Sequence, residues 1–138
     1  DIDAITMRQA DELLISTYGN NRVPGVRGRD EDLLLFSLMD DANPQLGGTW
    51  SLFLDGSDIS LASTGEDINA VSLIDNDVYI STVGYIRVPG FAGSDEDISV
   101  CVDSVPGDAT QCSEWAQYLD GDLSGIDDRY DIDGIDIP

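Results

Sequence analysis

Gly28-Arg29-Asp30-Glu31-Asp32-Leu33 returns 65 positions later as Gly93-Ser94-Asp95-Glu96-Asp97-Ile98. Each acidic triplet follows a Val-Pro-Gly turn, Val23–Gly25 or Val88–Gly90, and each opens an apolar run. Working outward, the flanks repeat as well. Leu14-Ile15-Ser16-Thr17 matches Tyr79-Ile80-Ser81-Thr82, Trp50 matches Trp115, and Leu54-Asp55-Gly56 matches Leu119-Asp120-Gly121. The opening Asp1-Ile2-Asp3-Ala4-Ile5-Thr6-Met7 occurs three times, again at Asp67–Leu73 and at Asp131–Ile137. The chain is thus one all-β domain of two units, 1–66 and 67–130, plus a third copy of the opening strand at 131–137. Repeats of this length imply supersecondary units that bury their apolar faces on one another.

Each unit reads as four strands: Ile2–Met7, Leu13–Thr17, Leu33–Leu38 and Thr49–Leu54, with counterparts Ile68–Ile74, Val78–Val83, Ile98–Val102 and Glu114–Leu119. Short runs rich in β-branched residues, bounded by Gly, Pro and Asp, carry this assignment. Residues 7–15 have a weak helical look, but the matching Ile74-Asp75-Asn76-Asp77-Val78 is a turn signal, so both copies read as hairpins. Eight strands and a short terminal ninth predict a β-sandwich or a compact pseudo-two-fold barrel, with propeller-like blades as the alternative. Pro24-Gly25 and Pro89-Gly90 predict turns with glycine at positive φ.

The chain has 138 residues, 28 acidic and 6 basic, for a net charge of -22, with no Lys and no His. Such a balance disfavours nucleic acid and anionic membranes and favours cations or basic surfaces. No stretch is apolar and long enough to span a membrane. Hydrophobic residues make up 41%, too many for an acidic disordered tail.

The carboxylates recur in patterns suited to a hard cation, which takes several oxygen ligands. The candidate ligands are Asp30, Glu31 and Asp32, their copies Asp95, Glu96 and Asp97, and the turn residues Asp55, Asp58, Asp120 and Asp122. Asp1, Asp3, Asp67, Asp131 and Asp133 of the opening strands complete the set. In an extended triplet the two Asp side chains share one face and can grip one ion. Crowded carboxylates otherwise repel, and either raise their pKa values or take a counter-ion. Solvated turn carboxylates are the simpler alternative for any one of them. Recurrence of the whole set points instead to structural Ca²⁺. Arg22, Arg27 and Arg29 beside the first triplet predict partial neutralisation there by arginine.

Cys101 and Cys112 are expected to form a disulfide, which fits an extracellular or cell-surface protein. Trp50 and Trp115 lie in alternating runs and read as core. An enzyme is the poorest fit: there is no His or Lys, and symmetry duplicates every candidate carboxylate. A structural surface module is favoured, self-assembling head to tail by strand addition through the extra terminal strand. A carbohydrate- or protein-binding module of a secreted protein is the alternative.

The stretch Gly47–Leu61, then Glu66-Asp67-Ile68-Asn69-Ala70, with the Val-Pro-Gly loops and Asp-Glu-Asp runs, resembles aspartate-rich tandem repeats of secreted and cell-surface prokaryotic proteins. The resemblance spans nearly the whole chain. It implies export and an architectural role rather than any particular chemistry. Unit 2 departs after Gly121, where Asp122-Leu123-Ser124-Gly125 replaces Ser57-Asp58-Ile59-Ser60.

Overall fold

A computed structural model describes residues 1–138. Unit 1 comprises β1 (Ile2–Gln9), β2 (Glu12–Thr17), β3 (Asn21–Val23), β4 (Val26–Gly28), β5 (Leu33–Leu38) and β6 (Gly48–Leu54). Unit 2 repeats them as β7 (Ile68–Ile74), β8 (Asp77–Thr82), β9 (Ile86–Val88), β10 (Phe91–Gly93), β11 (Ile98–Val102) and β12 (Glu114–Leu119). One short helix, α1 (Gly121–Ser124), follows β12. Each unit forms an antiparallel four-stranded sheet, β1-β2-β5-β6 in unit 1 and β7-β8-β11-β12 in unit 2. The third and fourth strands of each unit, β3-β4 and β9-β10, form small separate hairpins.

The hairpins are where sequence reading fell short. The Val-Pro-Gly motifs do not simply end a loop. Val23 pairs with Val26, and Val88 with Phe91, across the Pro-Gly turns. Gly25 and Gly90 take φ +84° and +81° there, the region that glycine enters without a Cβ penalty. Three-residue strands fall below what alternation can reveal.

Both large sheets are open, so the fold is a sandwich rather than a barrel. Residues paired across strands share a face, which defines two faces per sheet. Ile5, Ile15, Leu34 and Leu52 lie on the front of sheet 1, and Thr6, Leu14, Leu35 and Ser51 on its back. The matching rows of sheet 2 are Val71, Ile80, Ser99 and Gln117 in front, and Ser72, Tyr79, Val100 and Ala116 behind. The core joins unlike faces. Ala4, Leu14 and Leu33 from the back of sheet 1 cluster with Val71, Val78, Ile80 and Cys101 from the front of sheet 2. Ile86 and Val88 of the second hairpin, and Ile59 and Leu61 of the linker, close that cluster. Each Val, Leu and Ile among them contributes about 1.5–3 kcal/mol on burial. Back-to-front packing is a head-to-tail relation, in which equivalent residues have unequal surroundings.

The third copy of the opening strand is not a ladder strand. Residues 131–137 run along the back of unit 2, held by Ile132 N–H donating to Asp95 O at 3.1 Å and Ile137 N–H to Ser72 Oγ at 3.3 Å. The first of these contacts reproduces Ile68 N–H to Asp30 O at 3.2 Å between the units.

Candidate functional site

Turns, not strands, hold the acidic triplets. Asp32 N–H donates to Arg29 O, and Asp97 N–H to Ser94 O, both at 3.2 Å. The expected extended geometry, with two Asp side chains on one face, is therefore absent. The last Asp of each triplet is occupied by backbone. Asp32 accepts from Arg29 N–H at 2.8 Å and Gly56 N–H at 2.9 Å. Asp97 accepts from Ser94 N–H at 2.7 Å and Gly121 N–H at 2.9 Å. These bonds clip the Asp-Gly turn after the unit's last strand to the triplet turn before its fifth. A Cβ at Gly56 or Gly121 would collide with the carbonyl oxygen of Glu31 or Glu96, which explains both glycines. Burial pushes the Asp32 carboxyl up, against the opposing pull of its two N–H donors.

The turn carboxylates are similarly committed. Asp55 caps a 3-10 turn, accepting from Ser57 N–H at 3.1 Å and Ser57 Oγ at 2.6 Å. Asp58 accepts from Thr110 N–H at 3.1 Å. Asp120 caps α1 through Leu123 N–H at 2.9 Å, and Asp122 is exposed on its first turn. Asp1 and Asp133 are exposed.

The buried carboxylate oxygens without such partners lie at the seam between the units and at the equivalent place behind unit 2. Asp67 is only 4% exposed, and its Oδ1 has no hydrogen-bond partner. Burial, then the neighbouring carboxylates of Asp30 and Asp3, push its carboxyl up to about 6. Asp3 Oδ2 is likewise buried and unpartnered. Beside them, burial and a hydrogen bond with Asp30 raise Glu31, and Arg29 reaches Glu31 at 3.5 Å. Neither Arg22 nor Arg27 forms an ion pair; they face each other across the first hairpin. At the equivalent position behind unit 2, Asn69 replaces Asp3 and donates to Asp131 Oδ2 at 3.2 Å. There Glu96 Oε2 is buried without a partner, and burial raises Glu96.

In kind, Asp3, Asp30 and Asp67 suit a hard cation, with oxygen donors and excess negative charge. In spacing they are not a finished cage, since no three acidic or cysteine side chains converge closely enough to hold a metal ion.

Four further residues, not singled out by the sequence, hold this region together: Glu66, Ser16 and Thr110 at the seam and Ser81 behind it in unit 2. Glu66 collects the backbone N–H groups of Ala62 and Ser63 at 2.7 Å on one oxygen and of Arg87 at 2.8 Å on the other. Burial opposes its ionisation, but those three donors outweigh it and hold Glu66 below the usual carboxylate range. Its place in Glu66-Asp67-Ile68-Asn69-Ala70 was a signal of kind, not of role. Ser16 and Ser81 donate to Asp30 O and Asp95 O at 3.5 and 3.1 Å. Thr110 lies in the loop closed by the Cys101–Cys112 disulfide, and its Oγ accepts from Asp55 N–H at 2.8 Å. With Gly107 N–H on Phe53 O at 2.8 Å, that loop clasps unit 2 to unit 1. The disulfide therefore stiffens an inter-unit contact as well as its own loop.

Trp115 stacks on Phe91 with ring centroids 6.5 Å apart, and Trp50 lies 4.6 Å from Phe36. Both indoles are half-buried; Trp115 packs against the core cluster, as its alternating run led one to expect, whereas Trp50 stays outside it. A cleft of about 290 Å³ runs beside Trp115, lined also by Asp58, Thr110 and Glu114. No helix is long and apolar enough to cross a membrane. No family model, curated protein or solved structure matches the chain.

Proposed function

We propose that the chain is a calcium-stabilised structural module of the cell exterior, built to join head to tail. The observation that carries this reading is Asp67, buried at the seam with a bare carboxylate oxygen beside Asp30 and Asp3. A divalent cation there lowers the mutual repulsion of the three groups and supplies the missing partner. It also stiffens the joint between units, which is what a load-bearing or spacing element requires. The disulfide supports an oxidising location. Back-to-front packing supports end-to-end extension, because a heterologous contact of this kind does not close on itself as a two-fold pairing would.

Calcium titration of chelator-stripped protein, followed by thermal melting, tests the ion. The melting temperature is expected to rise with calcium and to fall on chelation. Identical melts under both conditions refute the calcium reading.

A further inference from the structure

Five buried side-chain oxygens have no hydrogen-bond partner, and four of them fall at two places one repeat apart. Asp3 Oδ2 and Asp67 Oδ1 belong to the seam. Asn69 Oδ1 and Glu96 Oε2 lie at the equivalent place behind unit 2, where residues 131–137 run. Asn69 is 4% exposed and Glu96 2%, so bulk water does not complete either group. The repeat relates the two places residue by residue. Asp3, Asp30, Glu31 and Asp67 of the seam become Asn69, Asp95, Glu96 and Asp131. The backbone is alike too, since Ile132 N–H takes the Asp95 carbonyl as Ile68 N–H takes that of Asp30.

We infer that the place behind unit 2 is a second divalent-cation site, with Asn69, Asp95 and Asp131 as ligands, and that its occupancy fastens residues 131–137 to that unit. The site rests on the calcium part of the proposed function and gives the ion a second place and a second task.

Asn69 links the two sides of the site. Its Nδ2 donates to Asp131 Oδ2 at 3.2 Å, so the amide head meets that carboxylate, while its Oδ1 bonds to nothing. Amide carbonyls are regular ligands of Ca²⁺ beside carboxylates, and a hard cation supplies the partner that Oδ1 lacks. No arginine serves the place. Arg29, which reaches Glu31 at 3.5 Å in the seam, is replaced by Ser94. Arg129, the one basic residue after Arg87, is paired with Asp127 at 2.7 Å. The segment therefore carries Asp131, Asp133 and Asp136 towards Asp95 and Glu96 with no basic side chain to offset them, and crowded carboxylates take a counter-ion.

The attachment of the segment is otherwise thin. Ile132 N–H on Asp95 O, Ile137 N–H on Ser72 Oγ and the Asn69 amide on Asp131 hold it, with no strand ladder. A cation shared by Asn69 and Asp95 of the unit and Asp131 of the segment bridges that joint directly. A neutral amide stands where the seam has Asp3, and an exposed carboxylate where it has buried Asp67. Calcium affinity follows ligand charge and rigidity, so this site fills after the seam.

The test titrates calcium into the chelator-stripped full chain and follows backbone amides by NMR. Two groups of signals are expected to move: the seam around Asp30 and Asp67 first, then Asn69, Asp95 and Ile132 at about tenfold higher calcium. Hydrogen exchange at Ile132 is expected to slow only as the second group moves. Asn69→Ala is expected to abolish the second response and keep the first. Asp131→Asn, which leaves β7 untouched, is expected to do the same and covers a failure of Asn69→Ala to fold. Asn69→Asp restores the carboxylate of the seam set and is expected to bring the second response to about tenfold lower calcium. A seam response alone overturns the second site and leaves the calcium reading standing. A second response that survives both Asn69→Ala and Asp131→Asn also overturns it, because calcium then meets only exposed aspartates. Calcium binding there without slower exchange at Ile132 overturns the fastening role. Silence at both places removes the calcium reading as well.

Discussion

Asp32 Oδ1 accepts the backbone N–H of Gly56 at 2.9 Å, joining two turns 24 residues apart. Asp97 and Gly121 repeat the bond at the same distance. A carboxylate that ties down backbone N–H groups fixes the geometry of both ends of a unit. Asp32→Ala leaves the N–H groups of Gly56 and Arg29 without that acceptor, a loss of about 1–3 kcal/mol. Urea melts are expected to show it as a lower midpoint with little change in slope. Gly56→Ala is expected to destabilise as well, through collision with Glu31.

Stability should fall as pH rises through the seam's titration range. The Asp67 carboxyl is pushed from 3.8 to about 6, and Glu31 is raised in the same direction. Between the unfolded and folded values the native state binds more protons than the unfolded chain, so the derivative of stability with pH is negative. Metal-free protein is expected to melt higher near pH 5 than near pH 8, and calcium to help more at the higher pH. A melting temperature that climbs from pH 5 to 8 without metal would contradict this.

Asp67→Asn separates charge from packing. It keeps the shape while removing one carboxylate from the Asp3–Asp30 neighbourhood. In chelator the variant is expected to be more stable than the parent chain, and the calcium-dependent shift in melting temperature should shrink. A substitution that destabilises in chelator, with calcium response unchanged, would assign Asp67 a purely local role.

Glu66 is the opposite case, a buried carboxylate that its donors keep charged. Its contribution is present above the unfolded value and is lost as pH falls through the depressed folded one. Glu66→Ala removes the acceptor for Ala62, Ser63 and Arg87, and is expected to cost about 2–3 kcal/mol. Hydrogen exchange should quicken at Arg87 and around the seam more than at the centre of either sheet.

Reduction of Cys101–Cys112 should loosen the clasp before it unfolds a sheet. Opening an eleven-residue separation removes about 3 kcal/mol in the loop-entropy account. Amide exchange at Asp55 and Thr110, which meet across the units, is expected to rise on reduction.

Periodicity and repetition made most of the fold legible. β5, β7, β11 and β12 fall at the bounds read from the sequence, because the first three are short apolar runs closed by turn residues and β12 follows its repeat partner β6. The Cys101–Cys112 bridge was legible for a similar reason, as the two thiols are the only ones present. The hairpins were not, nor was α1, since elements of three or four residues have no period to detect. The acidic triplets were legible as important but not as turns, because Asp serves a turn and an ion equally well.

Sequence alone determined the duplicated unit, its four longer strands and the surplus of carboxylates, all of which are local or periodic properties. Tertiary structure decided how one unit meets the next. Ile5 and Val71 are equivalent in sequence, yet one faces solvent and the other is sealed, since burial depends on what lies opposite. In the same way Asp32 became a backbone clip and Asp67 a bare charge in the seam. A carboxylate's role is set by which N–H groups and which other carboxylates folding brings within reach.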